Sequence, residues 1–381
     1  MNNWKIPLYK IYTDDEDLNL ITNIIKRGSE WAIGPEIEEF ENTIKNFVGC
    51  KYCLTLNSGT SALHATNLAY NLGKGDEIIV PSFSFVSTAN SVLFVGATPQ
   101  FADIEEETFG LDPSNIQTKI SKKTKAIIPM DYGGTSCKIF EIMQIAKDNN
   151  LILIEDAAES LGSTVNGSKI GTVGDSAIFS FCGNKVLTTG EGGAVVTNSK
   201  EIYEKIKSIR SHGRLDSISY FNNPDSGHYN MLGYNWRMSS ITAALGISQL
   251  QKLDKIIKMR QENAKYISNK LSKCKEIRLP IPPNGYEHIY QMYSIRVQNQ
   301  KIRDDLQKHL LEKQIFSKVY FKPIHKMEFY KNQKKNKKEF LPMTEKISNT
   351  ILTIPLYPNM TIEEKDYLTN SILEFFEDVI N

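Results

Sequence analysis

Short apolar, β-branched runs recur along the first half of the chain and alternate with helix-length stretches of mixed pattern. Tyr52–Leu56, Glu77–Val80, Thr98–Asp103, Lys125–Met130, Leu151–Glu155, Ala177–Phe181 and Ala194–Thr197 read as strands. Thr60–Leu72, Phe85–Val95 and Ile139–Asp148 read as helices between several of them. Strands this apolar are buried on both faces. Their alternation with helices predicts an α/β fold, a mostly parallel central sheet flanked by helices on both sides. From Ser239 to about Ser272, apolar residues at three- and four-residue spacing (Ile241, Ala244, Leu245, Ile247, Leu250, Leu253) predict long helices. Arg278–Gly285 is a breaker-rich connector. Beyond it the pattern predicts a strand at Tyr290–Val297, a helix near Arg303–Lys313, a strand at Ile315–Phe321 and a terminal helix near Ile362–Phe376. The chain divides into a large domain, residues 1–250, and a smaller α+β C-terminal domain, residues 251–381. No internal repeat is visible.

Length supports that division, since 381 residues exceed what one core usually serves. Lys and Arg number 45 against 44 Asp and Glu, a net charge of +1, which lacks the footprint of a general nucleic-acid binder. No apolar run approaches the roughly 20 residues of a membrane span, and no signal-peptide pattern opens the sequence. Cys50, Cys53, Cys137, Cys182 and Cys274 form an odd, scattered set, which fits reduced thiols in a cytoplasmic protein. Cys50-Lys-Tyr-Cys53 has no second pair to complete a zinc site, so no metal is expected. The basic run Lys331–Lys338 lacks aromatic or amphipathic patterning and reads as a solvated loop.

Three features sit at predicted strand ends, where ligands gather in open parallel sheets. Asn57-Ser-Gly-Thr-Ser-Ala62 opens a helix; its small residues suit close approach of an anion to backbone N–H groups, or simple helix capping by Ser58 or Thr60. Asp156 follows the apolar run Leu151–Ile154; a carboxylate there either caps a helix or faces a cation or strong donor, such as a protonated heteroaromatic nitrogen. Lys185, in Ser180-Phe-Cys-Gly-Asn-Lys185, lies among small residues, where desolvation makes an amine nucleophilic toward a carbonyl. Gly190-Glu-Gly-Gly193 resembles half of a dinucleotide fingerprint, but Val195 stands where its third glycine would fall. Phosphate cradle, buried Asp, then buried Lys is the set of parts that pyridoxal 5′-phosphate (PLP) requires.

Six segments, NSGTSAL (57–63), PSFSFVSTAN (81–90), EDAAESLGS (155–163), SFCGNK (180–185), TTGEGGAVVTN (188–198) and GYNWRMS (233–239), occur in one order along the chain. In these the sequence resembles the sugar aminotransferases of the DegT/DnrJ/EryC1/StrS family, within the aspartate-aminotransferase fold (fold type I of PLP enzymes). The resemblance implies that 1–250 binds PLP and that Lys185 forms the Schiff base and shuttles the substrate proton. It implies that Asp156 pairs with the pyridine nitrogen and Phe85 stacks on the ring, where the residue pattern alone also allows a core aromatic. Gly59, Thr60 and Ser180 would hold the phosphate. Asn235 would reach the phosphate in the neighbouring subunit, making a homodimer with shared active sites.

Glu159 stands where many relatives carry Gln, close to the cofactor's phenolic oxygen. Two ionised oxygens in contact repel, so Glu159 must hold a proton or turn toward another partner, and the expectation is a proton held with a raised pKa. His325, in Val319-Tyr-Phe-Lys-Pro-Ile-His325, matches a segment that approaches the sugar nucleotide, against the plainer reading of a structural histidine. The family's dehydratase branch replaces the lysine by histidine, so Lys185 points to transamination. SFCGNK, Glu159 and TTGEGG look most like enzymes that aminate C4 of nucleotide-linked 4-keto-6-deoxy hexoses. The expected partners are such a GDP-, UDP- or dTDP-linked keto-sugar and L-glutamate, with neither nucleic acid nor membrane. Amination at C3, a UDP-linked N-acetylamino keto-sugar, a PLP-dependent dehydratase and a non-catalytic regulator are the alternatives. The chain departs from many members at Asp131-Tyr-Gly-Gly134 and Ser136-Cys-Lys-Ile139, where they read His-Leu-Tyr-Gly and Pro-Cys-Asp-Met.

Overall fold

In the computed structural model, residues 4–214, 228–333 and 339–380 are described. The strands in chain order are β1 (Tyr52–Leu56), β2 (Glu77–Pro81), β3 (Thr98–Ala102), β4 (Thr124–Ile127), β5 (Ile152–Asp156), β6 (Thr164–Val165), β7 (Ser168–Lys169), β8 (Ser176–Ser180), β9 (Gly193–Thr197), β10 (Tyr286–Glu287), β11 (Tyr293–Arg296) and β12 (Ile351–Ile354). The first helices are α1 (Asp15–Arg27), α2 (Pro35–Val48), α3 (Gly59–Ala69), α4 (Ser87–Phe94), α5 (Pro113–Lys119), α6 (Ile139–Asp148) and α7 (Lys200–Ile209). Then come α8 (Ser240–Gln251), α9 (Leu253–Leu271), α10 (Gln300–Glu312), α11 (Glu328–Gln333), α12 (Pro342–Thr350) and α13 (Ile362–Ile380).

Seven strands form the central sheet in the order β1-β9-β8-β5-β4-β2-β3. All neighbours pair parallel except at β9, which runs antiparallel to both β1 and β8. Alternation along each strand splits the core in two. Cys53, Ile79, Ile127, Leu153, Ala177 and Val196 face α2, α6, α8 and the start of α9, whereas Leu54, Val80, Ile128, Ile154, Ile178 and Val195 face α3, α4 and α7. Both sets are fully or nearly fully buried, which is why these strands carry no polar alternation. A third cluster joins Ile6 and the later part of α9 to β11, β12, α10 and α13.

The strand expected at Ile315–Phe321 is not one: the segment makes only isolated bridges, Ile315 to Ile6 and Lys318 to Thr353. Its apolar residues instead plug separate clusters, Ile315 beside α10 and Phe321 against Phe83 and Tyr132. The strand expected from Tyr290 starts at Tyr293, because Tyr290 takes a left-handed conformation, φ 51°. Lys334–Lys338 of the basic run lie outside the described residues.

Gly193 opens β9 and pairs with both Leu56 at the end of β1 and Ser180 at the end of β8. A Cβ there would lie 2.5 Å from Ser58 C and 2.6 Å from Gly59 N. Backbone cannot rotate away from such a contact, so Gly193→Ala must push the start of α3 outward. The expected loss is about 1–3 kcal/mol of stability, read by thermal unfolding, with weaker cofactor binding by titration.

Candidate active site

Because β1, β2, β5 and β8 run in the same direction, the segments leaving them lie along one edge of the sheet. The β1–α3 turn is capped by Ser58, whose Oγ accepts from Ser61 N at 3.1 Å. That cap leaves the Gly59 and Thr60 N–H groups at the positive end of α3. Ser180 closes the other side: a Cβ on Gly59 would meet Ser180 Cβ at 3.0 Å and Oγ at 3.3 Å. Thr60 Oγ1 donates to Ser87 Oγ at 3.1 Å. Backbone donors, hydroxyls and a glycine packed tightly against Ser180 make a cradle suited to a phosphate.

Asp156, at the end of β5, is 3% exposed. Its Oδ2 accepts from Thr88 Oγ1 at 2.7 Å, and Ser84 Oγ lies 2.7 Å from the same hydroxyl. Its Oδ1 has only a long contact, 3.4 Å, from Ala158 N. Burial raises its pKa to about 6, against the lowering effects of Thr88, Ala158 and the Lys185 charge. A buried carboxylate with one firm donor suits an additional cationic N–H, which a protonated pyridine nitrogen supplies. Glu155, one residue earlier, is occupied: it accepts from the Gly171, Val173 and Gly174 N–H groups at 2.8, 2.9 and 2.6 Å.

Lys185 follows β8 in a loop closed by Lys185 N donating to Cys182 O at 2.9 Å. Its Nζ donates to Glu159 Oε1 at 3.2 Å, and both side chains are largely buried. Glu159 Oε2 accepts from Gly133 N at 3.0 Å. Glu159 is thus turned toward two partners of its own chain, an amine and a backbone N–H. Phe85, just before α4, is 58% exposed, so it is no core aromatic, and its ring is open for stacking.

Asn235 is exposed and bridges to Ser211, while the adjacent Trp236 O accepts from Asn57 N at 2.9 Å. Its segment thus leaves beside the cradle of its own chain. His325 sits with Nδ1 2.7 Å from Ser82 Oγ and Nε2 3.3 Å from Glu345 Oε1, its side chain buried. Both ring nitrogens are engaged within the chain, and a substrate bond would displace Glu345. Among the described residues, no group of three or more His, Cys, Asp or Glu side chains is placed to hold a metal.

Sequence reasoning passed over Thr88, Gly133 and Gln291, the last a buried side chain bonded to the backbone on either side of Lys185. Thr88 lies inside a quoted motif and was findable; the other two act through backbone bonds formed only in the fold.

The sequence profile of the DegT/DnrJ/EryC1/StrS aminotransferase family matches residues 12–373. The chain belongs to that family. It is 34% identical to the GDP-perosamine synthase of Escherichia coli O157:H7, with 98% of this chain and 99% of that one covered. It is 32% identical to the spore coat polysaccharide biosynthesis protein SpsC of Bacillus subtilis, covering 96% and 94%. Helicobacter pylori PseC, an aminotransferase involved in the biosynthesis of pseudoaminic acid, superposes with a TM-score of 0.91 at 29% identity, covering 98% and 99%. As a member of this family, the protein is a PLP-dependent sugar aminotransferase of fold type I. The cradle, the half-satisfied Asp156, the open Phe85 ring and the desolvated Lys185 fit that cofactor. No helix among the described residues is long and apolar enough to cross a membrane.

Proposed function

We propose that this aminotransferase moves the amino group of L-glutamate to C4 of a nucleotide-linked 4-keto-6-deoxy hexose, releasing 2-oxoglutarate and a 4-amino sugar nucleotide for glycan synthesis. The observation that carries the reading is the near-full-length similarity to GDP-perosamine synthases, together with a lysine held in the site by Glu159. PLP, when bound, supplies the carbonyl carbon that accepts the amino group and the ring that withdraws electrons from the substrate carbon. With it bound, Asp156 would keep the ring nitrogen protonated, Phe85 would stack on the ring, and Gly59, Thr60 and Ser180 would hold the phosphate. Lys185 Nζ would carry a proton between the substrate carbon and the cofactor's carbonyl carbon, off the donor's α-carbon in one half-reaction and onto the sugar carbon in the other. Glu159 and the Gly133 N–H keep that amine aimed while it does so.

Residues 1–250 serve as the cofactor domain and 251–381 as the cap, with His325 meeting the sugar nucleotide by exchanging its Glu345 bond. A homodimer completes each site through Asn235. In support, Tyr229, Met231 and Leu232, on the segment leading to Asn235, are exposed apolar side chains, the usual signature of a covered surface. We place the reaction in the cytoplasm, in keeping with five cysteines without disulfides. A UDP-linked N-acetylamino keto-sugar is the second reading, supported by EDAAESLGS (155–163) and GNK (183–185), which resemble the same segments of enzymes that act on such sugars.

Incubating the holoenzyme with glutamate and a panel of GDP-, UDP- and dTDP-linked keto-sugars tests both. Mass spectrometry is expected to show a 4-amino product from a 4-keto-6-deoxy hexose. Amination of none of them, with no 2-oxoglutarate released, overturns the assignment.

A further inference from the structure

Residues 288–292, far along the chain from the cofactor motifs, run across the back of the lysine loop. Ile289 N donates to Gly134 O at 2.9 Å, and Met292 N donates to Gly133 O at 3.0 Å. Between them the side chain of Gln291, 5% exposed, reaches the loop itself. Its Oε1 accepts from Val186 N at 2.7 Å, and its Nε2 donates to Asn184 O at 2.7 Å. One amide therefore brackets Lys185, bonding the residue before it and the residue after it. An ionised acid offers no donor and an ammonium no acceptor, so neither could make both bonds. Gln291 is in turn fixed by Arg260, which donates to Tyr290 O through Nε and to Gln291 O through Nη2, each at 2.8 Å. The left-handed Gly134, φ 106°, permits the close approach, since a Cβ there would lie 2.7 Å from Gln291 N.

The same short segment thus fixes two things that meet at the Lys185 amine. It holds the backbone on both sides of Lys185. It also holds the carbonyl of Gly133, whose N–H donates to Glu159, and Glu159 in turn accepts a hydrogen bond from Lys185 Nζ. We propose that Gln291 is a positioning residue for Lys185, an amide clamp from the C-terminal part of the chain that sets where Nζ stands during proton transfer. The inference rests on the functional reading only for its kinetic arm.

Two variants test it. Gln291→Met keeps the volume and removes both bonds. Gln291→Glu keeps the acceptor for Val186 N but can donate to Asn184 O only when protonated. Gln249→Met is the control for burial alone, because Gln249 is 1% exposed and bonds Tyr12 O and Asp17, away from the lysine. Hydrogen exchange of peptides spanning 182–188 is measured on the full chain, with and without PLP. Exchange at Val186 is expected to rise roughly tenfold or more in Gln291→Met, because the bond protecting it is gone, and to stay unchanged in Gln249→Met.

In the glutamate half-reaction, kcat is expected to fall roughly 10- to 100-fold in Gln291→Met, the scale of a small misplacement of a reacting group. KM for glutamate should change little. Activity of Gln291→Glu relative to wild type should climb as pH falls and the new carboxyl gains its proton, whereas the Gln291→Met ratio stays flat. Unchanged exchange at 182–188 in Gln291→Met, or wild-type kcat in that variant, overturns the clamp. So does an identical pH profile for the Glu and Met variants. Should the wild-type protein release no 2-oxoglutarate from glutamate, the donor reading fails while the exchange result still decides the clamp.

Discussion

Lys185→Ala is expected to abolish transamination, a loss of roughly 10⁴-fold or more, since it removes both the nucleophile and the acid–base group. The cofactor-loaded variant should lose the visible absorbance of lysine-bound PLP while still binding PLP through its phosphate, because the cradle at Gly59, Thr60 and Ser180 draws nothing from the lysine. Lys185→Arg separates charge from chemistry. A guanidinium can replace the ammonium beside Glu159 but stays protonated at any accessible pH, so the ion pair survives and the reaction does not. Substantial turnover in either variant, measured by 2-oxoglutarate release, would remove Lys185 from the mechanism.

Asp156→Asn should be nearly as costly to activity and opposite in its effect on stability. With PLP bound, an amide cannot hold the ring nitrogen protonated, and activity is expected to drop roughly 10³-fold, within the range of a lost acid–base partner. Without cofactor the sign reverses. Burial raises the Asp156 pKa to about 6 in the folded chain, from 3.8, so the folded state holds this proton more tightly than the unfolded state. The stability this provides is complete below about pH 4 and is lost as pH rises through about 6. At pH 7 the ionised carboxylate therefore costs the cofactor-free protein about 3 kcal/mol by linkage. Asp156→Asn is expected to melt at a higher temperature than wild type in the cofactor-free state at pH 7.5, with the gap narrowing toward pH 4. Equal melting temperatures at pH 7.5 would show that the buried charge is already compensated.

These two residues were legible in the sequence because their surroundings are written locally. Leu151–Ile154 announces a buried strand and places Asp156 at its end; SFCGNK follows a strand and offers Lys185 no surface. The sheet was legible for the same reason, since its strands are apolar on both faces and stand between helices. Less of the second half could be read. Ile315 and Phe321 look like strand residues, but each fills a different cluster, and sequence alternation does not say which neighbour an apolar side chain will meet. α1, α2 and α12 went unread, as did β12, which pairs with β11 across more than fifty residues. Glu159 drew notice as a departure, yet its partners, Lys185 and the Gly133 N–H, follow from tertiary contacts alone. Gln291 carried no signal, because a clamp on two backbone groups needs only one amide at the right place.

The reversed strand β9 has a bearing on how the protein is made. β1 leads into the Ser58–Thr60 turn, but among the described residues its one strand neighbour is β9, and Tyr52 waits for Thr197 as its register partner. A ribosome must therefore deliver some 145 residues after Tyr52 before that strand can be paired. Until then β1 has no strand partner on either side, and the site that PLP would occupy has no second wall. Cofactor therefore cannot act as a template for the chain up to β9, and its capture waits on that long-range pairing.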